Sequence, residues 1–137
     1  MDKEEIEEWF RSLPEYKNYV DAIGEYNPDL GYAGPESNKS LSKFIPETLY
    51  GIDCNPAFYQ HDAEYAIGGT KTDRFRADSN MLITILFIIE KARNKWWLTG
   101  FNWGRKGLAR RRAIKYFEAV RASGYKHFNF KEPQKGE

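Results

Sequence analysis

Residues 54–78 read CNPAFYQHDAEYAIGGTKTDRFRAD, and this stretch decides the predicted fold. Asn55 and Pro56 are typical of a helix start, with asparagine expected as the N-cap and proline as the first helical residue. The glycine pair Gly68-Gly69 ends this helix and opens a short turn into a second one. Two long helices joined by so short a turn are expected to pack antiparallel, so the sequence predicts an all-α domain built on this pair.

The second helix continues into the longest apolar run of the chain, MLITILFII at residues 81–89. Thr72 or Asp73 is expected as its N-cap, and its end is expected near Lys95. Because the run is apolar on every side of a helix, this helix is predicted to lie in the middle of the core. The run is far shorter than the roughly 20 residues that cross a membrane, so no transmembrane segment is predicted.

Four polar residues of the helix pair are placed by helix geometry. His61 and Asp78 are equally distant from the middle of the turn, so they are predicted to lie at the same height and to face each other. Tyr65 follows His61 by one helical turn on the same face. Asp62 points about 100° away around the helix axis, toward the loop-like residues 26–49.

This placement has a chemical meaning. A histidine held by a carboxylate can act as a general base, and a carboxylate directed at backbone carbonyls is typical of a calcium site. The alternative is a polar group that is satisfied inside a helix-pair core. Four polar residues at compatible heights favour the functional interpretation.

The remainder of the chain is predicted to be helix and loop. Short helices are expected at residues 3–13 and 15–23, and a last, basic helix at about residues 105–122. Turn-forming residues dominate residues 26–49, and a loop of that length inside a compact domain is usually functional. All 137 residues are expected to form a single domain.

The net charge of +1 hides a gradient, because residues 91–126 hold eleven Lys or Arg against Glu118 alone. One interpretation is a polyanionic partner, either nucleic acid or an anionic membrane surface. The other is a solvated helix face that pairs with the acidic N-terminus. An aromatic connection precedes the last helix and contains Trp96, Trp97, Phe101 and Trp103. Tryptophan is common both at a bilayer interface and in a protein core, so this connection does not distinguish the two interpretations.

Cys54 is the only cysteine, which excludes an internal disulfide and indicates a reducing compartment. The first twenty residues are charged and show no signal peptide. A cytoplasmic protein is therefore expected.

The helix pair and the loop before it resemble a known family. HDAEY at residues 61–65 resembles the HD-x-x-Y signature of the phospholipase A2 superfamily, and AD at residues 77–78 resembles the same pair in its second helix. YAGP at residues 32–35 resembles the Tyr-x-Gly-x-Gly calcium loop, in the form found in the parvoviral capsid enzymes. FIPETLYGIDC at residues 44–54 is similar to short phospholipase A2-like proteins of bacteriophages and bacteria. The resemblance covers about residues 30–125.

The resemblance implies a phospholipase A2-like fold and hydrolysis of the sn-2 ester of phospholipids. His61 would be the general base that takes a proton from water. Asp78 would orient His61, and Tyr65 would hydrogen-bond to Asp78. No serine or cysteine nucleophile would be needed, and Cys54 would be structural.

The resemblance also implies a bound Ca²⁺ ion. Asp62 would bind it together with the backbone carbonyls of Tyr32, Gly34 and Glu36. Glu36 stands where the family pattern has its second glycine, and glutamate is disfavoured wherever φ is positive.

By the same resemblance, the chain would consist of an acidic helical extension (residues 1–25), a phospholipase A2-like core (26–125) and a polar tail (126–137). Its setting would be a bacterium or a phage-infected cell, with the virion as a second possibility. The partner would be phospholipid or an anionic membrane surface.

Two other functions stay open at this point. One is a non-catalytic binding protein of phage origin on the same fold. The other is a nucleic-acid-binding protein that uses its basic C-terminal helix, because basic residues interleaved with aromatic ones suit that task too. His127 has no partner identifiable in the sequence and is expected to be incidental.

Overall fold

The structure, a computed structural model, describes residues 1–32, 48–49, 51–92 and 99–131. Within these ranges most residues are helical, and the predicted all-α class is confirmed. The helices are α1 (Lys3–Arg11), α2 (Tyr16–Ile23), α3 (Asn55–Ile67), α4 (Lys71–Lys91) and α5 (Thr99–Ser123). A 3-10 helix at Gly124–Lys126 follows α5.

A very short antiparallel β-hairpin precedes α3, and the sequence had not predicted it. Its strands are β1 (Thr48–Leu49) and β2 (Ile52–Asp53), with Thr48 opposite Asp53 and Leu49 opposite Ile52. Two residues per strand leave no room for the alternating apolar pattern by which strands are recognised.

The predicted α3–α4 hairpin is present, but its second N-cap differs from the expected one. Gly68 and Gly69 adopt φ of +73° and +138°, which glycine tolerates best. Thr70, not Thr72 or Asp73, caps α4. Its hydroxyl accepts from the Asp73 backbone N–H, while the Asp73 carboxylate accepts from the Thr70 N–H at 2.9 Å. Asp73 therefore completes a capping box from inside the first turn.

Asn55 was expected to be the N-cap of α3, and this prediction is wrong. Cys54 occupies the cap position and is fully buried, and Asn55 is already helical. The Asn55 side chain instead donates to the Leu30 carbonyl at 2.7 Å and accepts from the Tyr32 N–H at 3.0 Å. Because Asn55 satisfies these loop groups, it fastens the start of the long loop to the first turn of α3.

Helix α4 lies in the main core, but the apolar run is not buried all round. Ile83 is 63% exposed. The α4 side of the core is fully buried at Met81, Ile85, Ile88 and Ile89, and α5 contributes Ala109, Ala113, Tyr116 and Val120. The run therefore gives α4 one buried face and one face toward solvent.

Helix α4 ends at Lys91 rather than near Lys95, because Ala92 has extended backbone angles. Two cations satisfy carbonyls at this end. The Met1 amino group donates to the Lys91 carbonyl at 2.6 Å, and Lys106 Nζ donates to the Glu90 carbonyl at 3.1 Å. Positive charge is favoured at a helix C-terminus.

The N-terminal helices form a second, aromatic core against α3. Tyr59 lies at its centre and donates its hydroxyl to the Gly24 carbonyl at 2.6 Å. The buried members of this cluster are Phe10, Tyr19, Tyr26, Tyr59 and Ala63. The two N-terminal helices are thus packed into the domain.

Helix α5 begins at Thr99, earlier than the predicted start near Arg105, so part of the expected aromatic connection is helical. Trp96 and Trp97 lie outside the described residues, as do the side chains of Phe101 and Trp103. On α5, Arg110 pairs with Glu90 of α4 at 3.0 Å, whereas Glu7 on α1 pairs with Lys3 and Arg11 of its own helix. Across the described ranges, no helix is long and apolar enough to cross a membrane.

Candidate active site

Asp78 is the centre of the candidate site. Its carboxylate is fully buried, and its Oδ1 atom lies 2.8 Å from His61 Nε2. The same oxygen accepts the Tyr65 hydroxyl at 2.6 Å. The contact predicted from the helix hairpin is therefore present, and Tyr65 joins it as expected.

The second oxygen of Asp78 faces two arginines that were not anticipated. Arg121 Nη1 donates to Oδ2 at 2.6 Å, and Arg74 Nη1 lies 3.6 Å from it. Burial alone would raise the pKa of the Asp78 carboxyl, but the hydrogen bonds from His61, Tyr65 and Arg121 outweigh it, and the net direction is downward. Asp78 is thus an ionised acceptor at neutral pH.

The ionised state of Asp78 fixes the proton on His61. A carboxylate can only accept, so His61 Nε2 carries the proton and donates it to Oδ1. In the neutral imidazole Nδ1 is then unprotonated and can take a proton. His61 is 7% exposed, so its imidazole is largely shielded from bulk water.

Tyr65 supports this pair from one side. Its ring lies 4.1 Å from the His61 ring between centroids and meets the Phe128 ring edge-on at 5.1 Å. Burial and then the hydrogen bond to Asp78 raise the pKa of the Tyr65 phenol, so it stays protonated and remains a donor. Gly124 approaches Tyr65 so closely that an added Cβ would lie 2.5 Å from the hydroxyl.

A cleft of about 220 Å³ opens beside His61. Its polar lining includes His61, Asp62, Tyr65 and His127, and its apolar wall includes Ala66, Tyr116 and Val120. The cleft therefore combines an apolar wall with the polar edge of a histidine.

His127 lines this cleft, and its expected incidental role stays a prediction. It reaches the cleft because the chain after α5 turns back across the end of α3. Asn129 donates its N–H to the Tyr65 carbonyl at 3.2 Å and its amide to the Ala66 carbonyl at 3.0 Å. The sequence carries no motif around His127, so only the fold places it.

Asp62 lies in the same cleft as His61, although it leaves the helix in another direction. Burial raises the pKa of its carboxyl to about 7. From the described residues, no hydrogen bond or ion pair reaches this carboxylate. A half-buried carboxylate with no donor among the described residues is a fitting ligand for a cation.

The described part of the loop comes close to the Asp62 side of α3. The Tyr32 ring packs on Tyr59 at 5.2 Å, and Asn55 holds the Tyr32 N–H. Tyr59 precedes Asp62 by three residues, so the two lie one turn apart on neighbouring positions of the helix surface. The predicted ligands Gly34 and Glu36 lie outside the described residues.

Within the described residues, no group of three or more His, Cys, Asp or Glu side chains is arranged to hold a metal ion. The predicted calcium site has only one carboxylate, and its other three ligands are backbone carbonyls. A cluster of three side chains is therefore not expected there. Calcium binding therefore stays a prediction.

Comparison with known proteins adds no relative. No protein-family model, no curated protein and no solved structure matches this chain. The geometry around Asp78 is therefore the main basis for a proposed function.

Proposed function

We propose that this chain is a calcium-dependent hydrolase with a phospholipase A2-like fold, which cleaves the sn-2 ester of phospholipids. One observation carries the proposal. A single buried oxygen, Oδ1 of Asp78, holds both His61 Nε2 and the Tyr65 hydroxyl beside a cleft that also contains Asp62. The spacing of these four residues in the sequence is the one that resembles the phospholipase A2 signature.

In the proposed reaction His61 is the general base. Its Nδ1 atom takes a proton from a water molecule, and the resulting hydroxide attacks the ester carbonyl carbon. Asp78 stabilises the imidazolium that forms, and His61 then returns the proton to the leaving alcohol oxygen. The products are a free fatty acid and a lysophospholipid.

Asp62 would hold the calcium ion together with the backbone carbonyls of Tyr32, Gly34 and Glu36. Burial disfavours the charged form of the half-buried Asp62 carboxyl, and a bound cation would stabilise that form and lower its pKa. When bound, Ca²⁺ supplies positive charge that neutralises a developing oxyanion.

Two exposed aromatic side chains support a lipid surface as the partner: Tyr125, which follows the cleft residue Gly124 in the sequence, and Phe75, which contacts Arg121. Phe75 and Tyr125 are 54% and 51% exposed, and Lys126 beside Tyr125 is exposed as well. The Arg121 guanidinium lies over the Phe75 ring at 5.1 Å from its centroid. Exposed aromatic rings next to cations favour the headgroup zone of an anionic bilayer.

The test is fatty-acid release from phosphatidylglycerol and phosphatidylcholine vesicles, with Ca²⁺ or with EDTA. The intact chain is expected to hydrolyse the lipid only with Ca²⁺. His61→Asn is expected to lower kcat by about 10²–10⁴-fold, because the general base is lost. Arg110→Gln is the control, since this exposed residue pairs with Glu90 away from the cleft.

Two results would contradict the proposal. One is wild-type protein that releases no fatty acid from either lipid with Ca²⁺. The other is hydrolysis that His61→Asn leaves unchanged. Vesicle binding without hydrolysis would instead indicate a non-catalytic lipid-binding protein, and salt-sensitive DNA or RNA binding without vesicle binding would indicate a nucleic-acid-binding protein.

A further inference from the structure

The two carboxylate oxygens of Asp78 accept hydrogen bonds from different groups. Oδ1 accepts the donors of His61 and Tyr65, whereas Oδ2 accepts Arg121 Nη1 at 2.6 Å. A carboxylate can rotate about the bond to its Cβ atom, and that rotation would carry Oδ1 out of line with the imidazole. A short bond at Oδ2 opposes this rotation.

Arg121 is itself held on two sides. Phe75 lies under its guanidinium at 5.1 Å, and its side chain is 30% exposed, so it is not a freely solvated cation. Its backbone carbonyl accepts Arg74 Nη2 at 3.0 Å, and the Val120 carbonyl accepts Arg74 Nη1 at 3.3 Å. The buried Arg74 therefore fastens the end of α5 to α4.

We propose that Arg121 is a positioning residue for the His61–Asp78 pair, so that the C-terminal end of α5 belongs to the catalytic unit. Arg121 acts through Asp78 and does not touch the reacting atoms. Its hydrogen bond fixes the plane of the carboxylate, the carboxylate fixes the imidazole, and the imidazole then presents Nδ1 to the cleft. The catalytic part of this inference rests on the proposed function, whereas the geometric part can be measured without it.

The competing explanation is that Arg121 forms an ordinary ion pair that only joins α5 to α4. The chain supplies a matched control for that explanation. Arg110 also extends from α5 to an acid of α4, Glu90, at 3.0 Å. It lies at the other end of the helix pair and contacts none of His61, Tyr65 and Asp78 among the described hydrogen bonds.

The experiment compares wild type with Arg121→Gln, Arg121→Lys and Arg110→Gln in two measurements. The first is the low-field proton NMR signal of the His61 Nε2–H that is bonded to Asp78, assigned by its loss in His61→Asn. The second is kcat and KM for phosphatidylglycerol hydrolysis with Ca²⁺. Circular dichroism verifies folding in every variant.

Arg121→Gln is expected to shift or abolish the low-field signal and to lower kcat about 10–100-fold, with KM changed by less than about threefold. Arg121→Lys is expected to give a low-field signal and a kcat between those of Arg121→Gln and wild type. Lysine supplies a charged donor but lacks the planar guanidinium with its several donors. Arg110→Gln is expected to leave the signal and kcat unchanged.

A folded Arg121→Gln protein with the wild-type signal would overturn the proposal, and so would equal effects of Arg121→Gln and Arg110→Gln. If Arg121→Gln does not fold, Arg121→Lys replaces it as the test variant. Wild-type values of both the NMR signal and kcat in Arg121→Lys would then overturn the proposal. If wild type hydrolyses no lipid, the proposed function fails by itself. The NMR signal of the variants still decides whether Arg121 positions the pair.

Discussion

The Tyr65 hydroxyl donates a 2.6 Å hydrogen bond to Asp78 Oδ1, the oxygen that also receives His61. Tyr65→Phe removes this donor and leaves the ring in place. The expected result is a loss of about 1 kcal/mol in the free energy of unfolding and a fall in kcat of about tenfold, because one of the bonds that hold the carboxylate is gone. Urea denaturation and the fatty-acid assay measure the two effects.

Tyr59→Phe is the matched control for that variant. Tyr59 is also buried and also donates a single 2.6 Å hydrogen bond, but to the Gly24 carbonyl in the aromatic core. It is expected to lose a similar amount of stability with no change in kcat. Equal effects of the two variants on kcat would contradict a role for Tyr65 in the site.

Asp78→Asn is expected to be among the most destabilising substitutions in this chain. It removes the negative charge between Arg74 and Arg121, and Arg74 is 8% exposed. Breaking a buried ion pair by removing one partner costs roughly 3–5 kcal/mol. Glu90→Gln, which changes an exposed pair with Arg110, is expected to cost less than about 1 kcal/mol.

Wild type and Asp78→Asn are also expected to differ in how their stability depends on pH. The pKa of Asp78 is lowered in the folded protein, so its contribution is complete above the unfolded value near 3.8 and is lost as the pH falls through the folded value. Wild type is therefore expected to lose stability on acidification below about pH 4 more steeply than Asp78→Asn. Parallel stability curves for the two proteins in that range would contradict the lowered pKa.

The facing of His61 and Asp78 could be predicted because it depends on two adjacent helices and one turn. Helix periodicity sets the directions of the side chains, and the turn sets their heights. The N-cap of α4 was predicted wrongly as Thr72 or Asp73, because Thr70 lies only two residues before Thr72 and carries the same hydroxyl. Only the backbone shows which of them starts the helix.

Arg121 could not be predicted by the same argument. It lies 43 residues from Asp78 in the sequence, on a helix with basic residues spread along its length. Which of these faces α4 depends on how α5 is rotated, and that rotation is set by tertiary packing. His127 is a similar case, because the return of the chain across the end of α3, which the Asn129 bonds to Tyr65 and Ala66 help to hold, brings it to the cleft.

Asp62→Asn is expected to stabilise the calcium-free protein while abolishing its response to calcium. Burial raises the pKa of Asp62 from 3.8 to about 7, so the folded state loses stability as the pH rises between these values. Asparagine carries no charge that burial can penalise. At pH 8 with EDTA the variant is therefore expected to have a higher Tm than wild type.

Added calcium should reverse that order. Ca²⁺ binding only to the folded state raises the Tm of wild type, and Asp62→Asn should show no rise. Asp21→Asn, which changes an exposed acid on α2, is the control and should match wild type in both buffers. A calcium-dependent Tm rise that persists in Asp62→Asn would place the ion elsewhere.

Gly124→Ala and Gly107→Ala are expected to change stability in opposite directions, although both glycines lie in or next to α5. A Cβ at Gly107 meets no atom within 4 Å, so alanine should stabilise the helix by about 0.5–1 kcal/mol. A Cβ at Gly124 would lie 2.5 Å from the Tyr65 hydroxyl and 3.2 Å from Val120 Cγ1. Overpacking of this kind costs roughly 1–3 kcal/mol.

The two glycine variants also separate stability from activity. In Gly124→Ala the Tyr65 hydroxyl has to move away from the end of α5, and its bond to Asp78 moves with it. We therefore expect kcat to fall at least as much as in Tyr65→Phe, while Gly107→Ala keeps the wild-type kcat. Thermal denaturation measures the change in stability, and the fatty-acid assay measures kcat. A Gly124→Ala protein with wild-type kcat would show that the end of α5 can shift without moving the Tyr65 hydroxyl.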